Sequence, residues 1–498
     1  MHHELSALRT AAGLADAGKL TRDDLSDVSL DVLFGRHMAG IAGASASIAV
    51  RYRLHHQIPA VKIIHRELII DRADDPAQTP FHDARPGAGV PKGRVEVRNG
   101  ATGQGSNSVQ VRQYNERVIL TLLRRLGEAS KADLARHAKL TNNTAGQIVR
   151  DLEEQHLVRT GGKRSGARGQ PATILHLNPE GAYSVGFKLG RRSMDALLVD
   201  FAGRVIERRR LERAFPMPEE AVAFASESVA GLRRLISGSA SKRLAGLGVA
   251  MPYNLGSWQR ELDIPLAAYR RWNEFDLGGA LAEATGLEVF VENDGTAAAV
   301  AELCQGQDRS LDDFLYVFVG AALGGGVVLG GDYRRGVNAN AGDIGLMPTS
   351  PSRLGSAPHA DGKPEIALTR ASVNALIRHL RANGEAVEGR EQLEGLLERG
   401  HPALDEWLDD AADALVLPLL SAARVLDVAA VVIDGTLPRT ILDQLIERIT
   451  AALAAASPES REPPRILRGT VGRDAPAMGA AILPLHLNFS SSRDILLA

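Results

Sequence analysis

A short run of hydrogen-bonding side chains, Thr141, Asn142, Asn143 and Thr144, is followed at helical spacing by Gln147 and Arg150. Asn and Gln can pair with the edge of adenine, and Thr can touch a phosphate or a thymine methyl. At the start of a helix, such a row has the chemistry of an element that enters a major groove. Thr141 also suits the N-cap, where its oxygen would take a backbone N–H. A cap uses one such residue, however, and this opening turn has four. Downstream, the loop from Gly161 to Pro171 reads G-G-K-R-S-G-A-R-G-Q-P. Its glycines let the backbone follow a groove closely, and Lys163, Arg164 and Arg168 suit the negative potential of a minor groove.

The local charge agrees. Residues 109–172 hold twelve Lys and Arg against six Asp and Glu, in a chain whose formal net charge is -2. A basic surface must therefore be confined to this segment, where it makes the footprint expected for phosphate contact.

The elements that must position these residues are short helices. Val118, Leu122 and Leu126 recur on one face of a helix expected over Gln113–Leu126, which Gly127 ends. Ser130 caps a second helix with Leu134 and Ala138 inward. Thr141 caps a third that runs to about Gln155 with Ile148, Val149 and Leu152 inward. Leu157-Val158, the basic loop and a strand at Thr173–Leu177 follow. Helix, helix, helix, hairpin is the order of a winged helix-turn-helix, assigned to residues 105–178. Residues 1–104 carry no chemical motif and are expected to be a poorly ordered extension, with a strand or short helix within residues 45–65.

Beyond Asn178 the pattern alternates between strands and helices. Strands are expected at Tyr183–Leu189, Ala196–Asp200, Arg204–Leu211 and Leu244–Ala250, with a helix at Glu219–Ile236. A second round follows: strand Glu288–Glu292, helix Gly295–Gln305, and strands Phe314–Val319, Gly326–Leu329 and Val431–Asp434. The repeat predicts an α/β domain over residues 179–498 with two similar lobes facing a cleft. Trp272 fits either the core or the lip of that cleft.

The chain has 498 residues, which suggests about three domains. Its one cysteine, Cys304, excludes an internal disulfide and a cysteine-rich zinc site. No basic region precedes an apolar core at the N-terminus, and no apolar run reaches the ~20 residues of a membrane span. A cytoplasmic protein with no membrane partner is expected.

Several motifs together resemble the ROK family of sugar-sensing repressors and sugar kinases. They are V-E-N-D-G-T-A-A-A-V-A-E at 291–302, G-A-A-L-G-G-G-V-V-L at 320–329 and A-G-D-I-G at 341–345. The stretch G-S-N-S-V-Q-V-R-Q-Y-N-E-R from Gly105, the S-K-A-D-L-A helix from Ser130 and the R-G-Q-P loop resemble the repressor branch, such as xylose and N-acetylglucosamine repressors. The resemblance implies the actin-like fold shared with sugar kinases.

It also allows the phosphoryl-transfer machinery to be checked residue by residue. The family's base is the Asp of E-N-D, here Asp294, which also sits where a helix N-cap belongs. The family's first phosphate loop, D-x-G-G-T, is here Lys188-Leu189-Gly190-Arg191-Arg192-Ser193. Lys188 replaces the acid that organises Mg²⁺, and Arg191 stands where backbone should meet phosphate. In the second loop Ala321 and Ala322 replace a small hydroxyl residue, and Gly324–Gly326 read as a tight turn. The adenosine-side glycine pair is reduced to Asp434-Gly435. Leu346 replaces the zinc-binding histidine, no cysteines follow, and His359 alone cannot build a site. For the sugar, Asn293, Asp294, Asp343 and Glu365 are the implied acceptors of hydroxyl hydrogen bonds. The resemblance thus implies a non-enzymatic regulator, with no cofactor or metal. Its partners would be an operator DNA duplex and a sugar effector, and it would act as a homodimer or homotetramer. An active ATP-dependent sugar kinase with an appended DNA-binding domain is the alternative.

Overall fold

The computed structural model of the protein describes the strands 48–51 and 67–70 and residues 107–498, apart from 165–171, 237, 254–265, 307, 309, 359–361, 458–461, 493–494 and 496–498. The chain divides into two units, Met1–Ala84 and Arg85–Ala498. In the first, strand β1 (Ile48–Arg51) pairs antiparallel with β2 (Glu67–Ile70). The remainder of the expected extension lies outside the described residues.

The second unit opens with three helices and a small sheet. Helix α1 (Ser108–Leu126) begins at a capping box between Asn107 and Gln110 and stops at Gly127, whose φ is +74°. It starts earlier than the apolar spacing predicts, because the polar capping box and not the first apolar residue sets its end. Its inward face also differs. Ile119, Leu120 and Leu123 are buried, whereas Leu126 is 43% exposed. Of the expected set, Leu122 packs partly buried against their core, whereas Leu126, at the last position of the helix, lies outside it. Full burial of an Ile or Leu side chain stabilises by about 1.5–3 kcal/mol, so the packed trio and not Leu126 anchors α1.

After strand β3 (Ala129–Ser130), Ser130 caps α2 (Lys131–Ala138) through the Asp133 N–H. Thr141 caps α3 (Asn142–Glu154) by accepting from Thr144 N at 3.1 Å. Ala145, Ile148, Val149 and Leu152 form the buried stripe of α3. Strands β4 (Val158–Arg164) and β5 (Ala172–Leu177) form an antiparallel hairpin, and β3 completes the sheet in the order β3-β5-β4.

The first lobe comprises β6 (Tyr183–Leu189), β7 (Ser193–Asp200), β8 (Val205–Glu212), helix α4 (Pro218–Arg233), β9 (Leu244–Met251), α5 (Leu266–Glu274), α6 (Leu277–Thr285), β10 (Val289–Asn293) and α7 (Asp294–Gln305). The second lobe has β11 (Phe314–Val319), β12 (Leu323–Leu329), β13 (Asp332–Arg334), β14 (Pro348–Thr349), β15 (Glu365–Ile366), α8 (Val373–Ala382), α9 (Arg390–Arg399), α10 (Pro402–Leu426), β16 (Ala430–Gly435), α11 (Arg439–Ala456) and β17 (Arg465–Arg468). Helix α12 (Ala475–Phe489) closes the chain.

The two main sheets run in the orders β10-β9-β6-β7-β8 and β17-β16-β11-β12-β13. In each, the first three strands are parallel and the last two add antiparallel. The lobes are therefore two copies of one plan. Helices α7 and α12 pack against each other at its centre, and small residues make that possible. A Cβ on Gly479 of α12 would overlap the Ala297 carbonyl of α7, and one on Gly248 of β9 would overlap the Ala480 carbonyl. The strand expected from Gly326 begins earlier, so Gly324 and Gly325, read as part of a turn, lie within β12. A Cβ on Gly295 would strike the Gly325 carbonyl, and one on Gly326 would sit 2.8 Å from Ala299 Cβ. They bring α7 down onto the strand.

Helix α1 belongs to the same core as the lobe behind it. Ile119, Leu120 and Leu123 cluster with Leu197, Val199 and Phe201 of the first lobe and with Ile482 and Leu485 of α12. Arg117 Nη1 donates to Leu487 O at 3.0 Å, and Arg125 is paired with Asp312.

Candidate functional site

A cavity of about 390 Å³ opens between the lobes. Four structural features line it: the end of β6 with Lys188 and the β6–β7 turn with Arg191 and Arg192; the β10–α7 junction with Asn293 and Asp294; Gly324 and Gly325 of β12; and the segment after β13 with Asn340 and Asp343. Tyr253 and Arg473 complete it. It continues into a larger cavity of about 970 Å³ that shares Lys188, Arg192, Asn374, Thr436 and Arg473.

The junction is fixed by backbone hydrogen bonds. Asn293, and not Asp294, is the N-cap of α7, accepting from Gly295 N at 2.8 Å and Thr296 N at 3.4 Å. That leaves Asp294 as the first helical residue, with Oδ1 2.9 Å from Gly295 N. Burial pushes its carboxyl above the usual range, while Arg191 and Lys188 act to hold it charged. Burial likewise raises Asp343, against a hydrogen bond of 2.7 Å from Asn340 Nδ2. The ammonium of Lys188 is lowered by burial and supported by Asp195 and Asp294.

Lys188 curls back over the turn. A Cβ on Gly190 would stand 2.5 Å from Lys188 Nζ, and Gly190 N donates to Ser193 O at 3.0 Å to close the turn. A side chain at 190 would make the lysine terminus shift. Any anion approaching this loop meets side-chain cations, not bare backbone.

Of the four acceptors expected for a sugar, Asn293, Asp294 and Asp343 converge on this cavity. Glu365 is directed into the loop that follows β14, where its carboxylate accepts from Ser352 N at 2.9 Å. Ser352 Oγ in turn donates to Asp410, which is paired with the buried Arg370 at 2.6 Å. Arg370 also bridges Asp413 at 2.9 Å and donates to Ser350 O at 2.6 Å. This buried ion cluster holds the stretch in which the resemblance places zinc ligands in other members. Among the described residues no group of three His, Cys, Asp or Glu could hold a metal ion. His359 lies outside the described residues. Trp272 is 3% exposed and donates to Pro216 O at 2.9 Å, which makes it a core residue of the first lobe.

Sequence reasoning missed Asn340, Tyr253 and Arg473. Asn340 has a signal in retrospect, an amide three residues before Asp343. Arg473 has none, because it reaches the cavity from the turn before α12, far along the chain. Asp434, read as a remnant of the adenosine site, is buried and spent internally. It accepts from Tyr316 Oη at 3.1 Å and from Gly472 N at 2.8 Å.

The second candidate surface is the start of α3. Thr141, Asn142, Asn143, Thr144, Gln147 and Arg150 are all exposed. Thr141 and Thr144 are tied to each other, with hydroxyls 2.8 Å apart. Gln147 is held by Asp151 at 3.1 Å and Arg150 at 2.6 Å, and Asp151 is also paired with Arg112 of α1. Asn142 and Asn143 form no side-chain hydrogen bond among the described residues. Lys163 is exposed on β4, Arg164 ends that strand, and Arg168 lies outside the described residues.

Among the described residues no helix is long and apolar enough to cross a membrane.

Comparison with known proteins places this geometry. The family model described as "ROK family" matches residues 184–486. An uncharacterised protein of Sinorhizobium fredii, y4fQ, is 26% identical over 379 residues, covering 75% of this chain and 91% of its own length. The xylose repressor of Bacillus subtilis is 24% identical over 241 residues, covering 48% of this chain. The match spans 61% of the repressor's length. A crystal structure of a ROK family transcriptional regulator, described as a homologue of the E. coli MLC protein, superposes with a TM-score of 0.56 at 20% identity. It covers 78% of this chain and 100% of its own. The likeness extends to the α/β sugar-kinase-like fold.

Proposed function

The chain belongs to the ROK family, and on that premise we propose that it is a sugar-responsive transcription regulator, acting as a repressor. In this reading residues 105–178 form a winged helix-turn-helix that binds operator DNA. Helix α3 enters the major groove with Asn142, Asn143 and Gln147 toward base edges. Thr141, Thr144 and Arg150 face the phosphates, and Lys163, Arg164 and Arg168 follow the adjacent minor groove. The cavity between the lobes holds a sugar through Asn293, Asp294, Asp343 and the added Asn340. Glu365 supports the neighbouring loop.

The observation that carries this reading is the position of α1. One helix packs α3 on one side and shares a core with the first lobe and α12 on the other. A ligand that changes the angle between the lobes would move α3 relative to its DNA half-site. Such a shift requires different ligand affinity in the two states. Two copies of the chain, as a homodimer or homotetramer, would present paired α3 helices to a palindromic site.

The alternative, an active sugar kinase, draws on the retained Asp294, the family's general-base position, which lines the cavity. Lys188 speaks against it, since a cation there opposes a metal-bound nucleotide. Two assays on the full chain separate the readings. Selection from random duplexes should return a specific operator, and a panel of monosaccharides should release it. ATP-dependent phosphorylation of the same panel should be undetectable. Turnover that Asp294→Asn abolishes would establish the kinase instead.

A further inference from the structure

We infer that Arg335 is a positioning residue. From the exit of β13 it holds the two sides of the cavity to each other, and β13 carries their relative movement to the last turn of α1. The sugar-binding half of this assignment rests on the sensor reading above, whereas the mechanical link rests on contacts alone.

Strand β13 is the edge strand of the second lobe, beside β12, yet its side chains reach the first lobe. The Arg335 guanidinium pairs with Glu292 at 2.9 Å and donates from Nη2 to Val291 O at 3.2 Å. Both partners lie on β10, the strand that ends at Asn293. Tyr333 Oη donates to the same Glu292 oxygen at 3.1 Å. Glu292 is buried, so water screens these contacts little. On its other side, Arg335 O accepts from Ala341 N at 3.2 Å, which closes the loop that presents Asn340 and Asp343. One residue thus grips both halves of the acceptor set. Its side chain holds the strand leading to Asn293 and Asp294, and its backbone holds the segment with Asn340 and Asp343.

The other end of β13 meets α1. Arg125 of α1 is paired with Asp312, whose carbonyl accepts from Gly331 N at 2.8 Å. The same guanidinium lies over the turn that enters β13, since a Cβ on Gly331 would stand 2.7 Å from Arg125 Nη2. The neighbouring Arg124 donates instead to Phe201 O of the first lobe at 3.1 Å. Successive arginines therefore grip different lobes, and a change in lobe angle would turn the end of α1. From Gly331 to Arg335 the chain advances about 13 Å at the rise of a strand. That is a short, stiff path between the cavity and the helix that supports α3.

The test uses the full chain and two readouts. Hydrogen exchange, followed by mass spectrometry, compares residues 118–126 of α1 with α11, which lies in the second lobe away from β13. Arg335→Gln should speed exchange in 118–126 severalfold relative to α11, although the partners of Arg335 are on β10. Arg335→Lys should restore most of the protection. Because Arg335→Gln strands the buried Glu292, Tyr333→Phe serves as the milder variant and should act in the same direction. Calorimetric titration with glucose, xylose and N-acetylglucosamine gives the second readout. Arg335→Gln should weaken whichever sugar binds by about tenfold, the scale of a charged hydrogen bond. Arg125→Gln should leave that Kd within about twofold and lower sugar-driven release of the operator severalfold. Exchange in 118–126 that tracks α11 in every variant would overturn the link to α1. A sugar Kd unchanged by Arg335→Gln would overturn the positioning role and leave the sensor reading standing. If none of the three sugars binds the wild-type chain, the sensor reading falls and the positioning role with it, while the exchange comparison still decides the link.

Discussion

The guanidinium of Arg124 lies 5.3 Å from the ring centroid of Phe201 and donates to the Phe201 carbonyl at 3.1 Å. Arg124 is on α1 and Phe201 on the turn between β7 and β8, so this contact joins the helical segment to the first lobe. Phe201 is itself packed edge-on to Phe489 of α12, with centroids 4.9 Å apart. Phe201 is buried in the core that α1 shares with the first lobe, and Phe489 packs against that core. Replacing Arg124 by Met keeps the apolar stem and removes the fork. A cation–π contact is worth about 0.5–2 kcal/mol, so folding should survive. The factor by which the effector weakens DNA binding should fall severalfold, measured as the ratio of DNA Kd with and without ligand. An unchanged ratio would show that coupling does not pass through this joint.

The centre of the fold offers a sharper stability test. Gly479→Ala would force α12 off α7, because the new Cβ overlaps the Ala297 carbonyl. A loss of about 3 kcal/mol or more is expected, the range of overpacked core positions. Denaturant unfolding should show a lower midpoint. As a control, Gly395→Ala on α9, where the Cβ meets nothing within 4 Å, should not destabilise the chain.

This contrast also shows what could be read from residues alone. The strand Tyr183–Leu189, the strand Phe314–Val319 and the cap roles of Ser130 and Thr141 follow from local pattern and agree with the structure. Local pattern failed where tertiary contact decided. Gly324 and Gly325 look like a turn until α7 is seen lying on the strand they extend. The face of α1 is selected by the lobe behind it and not by its own spacing. At the cavity, Asn293, Asp294 and Asp343 were legible because each sits in a recognisable motif. Asn340 lies outside those motifs, and Arg473 arrives from a distant turn. Glu365 was misplaced because a carboxylate in a loop can serve a backbone N–H as readily as a ligand.

Stability should decline as pH rises from about 5 to about 7. Burial pushes the Glu292 carboxyl up to about 7, against Arg335 at 2.9 Å and Tyr333 Oη at 3.1 Å. Burial would push the His486 imidazolium down, but its hydrogen bonds to Asp332 at 2.9 Å and to Cys304 Sγ at 3.7 Å raise it to about 9. For Glu292, the unfolded chain releases its proton first, so stability falls between the ordinary carboxylate range and about 7. For His486 alone, the stabilisation is complete below the ordinary imidazole range and is lost as pH rises through about 9. Burial would raise the Cys304 thiol, but the hydrogen bond from His486 lowers it, so its earlier proton loss opposes the contribution of His486 over the same range. Thermal melting should therefore fall between about pH 5 and about pH 7, and Glu292→Gln should flatten that fall. A melting temperature that rises from about pH 5 to about pH 7 would refute the assignment.

On the DNA surface, the two kinds of contact should separate. Asn143→Ala should cost about 1–3 kcal/mol and relax preference at one base position. Lys163→Ala should weaken binding to all sequences alike and lower the slope of log Kd against log salt by about 1. Arg164→Ala and Arg168→Ala should resemble Lys163→Ala. Anisotropy titrations at several salt concentrations, on the selected operator and on a scrambled duplex, distinguish the classes. If Asn143→Ala instead behaves as a uniform loss, α3 is not the reading helix.

Linkage gives the decisive experiment. If one lobe movement connects the cavity to α3, ligand must weaken DNA binding by the same factor by which DNA weakens ligand binding. Both Kd values should be measured on the full chain, each with and without the other partner at saturation. Two equal factors, each on the order of 5- to 150-fold, are expected. A chain that binds its operator and its sugar with factors of one in both directions would contradict the regulator described here.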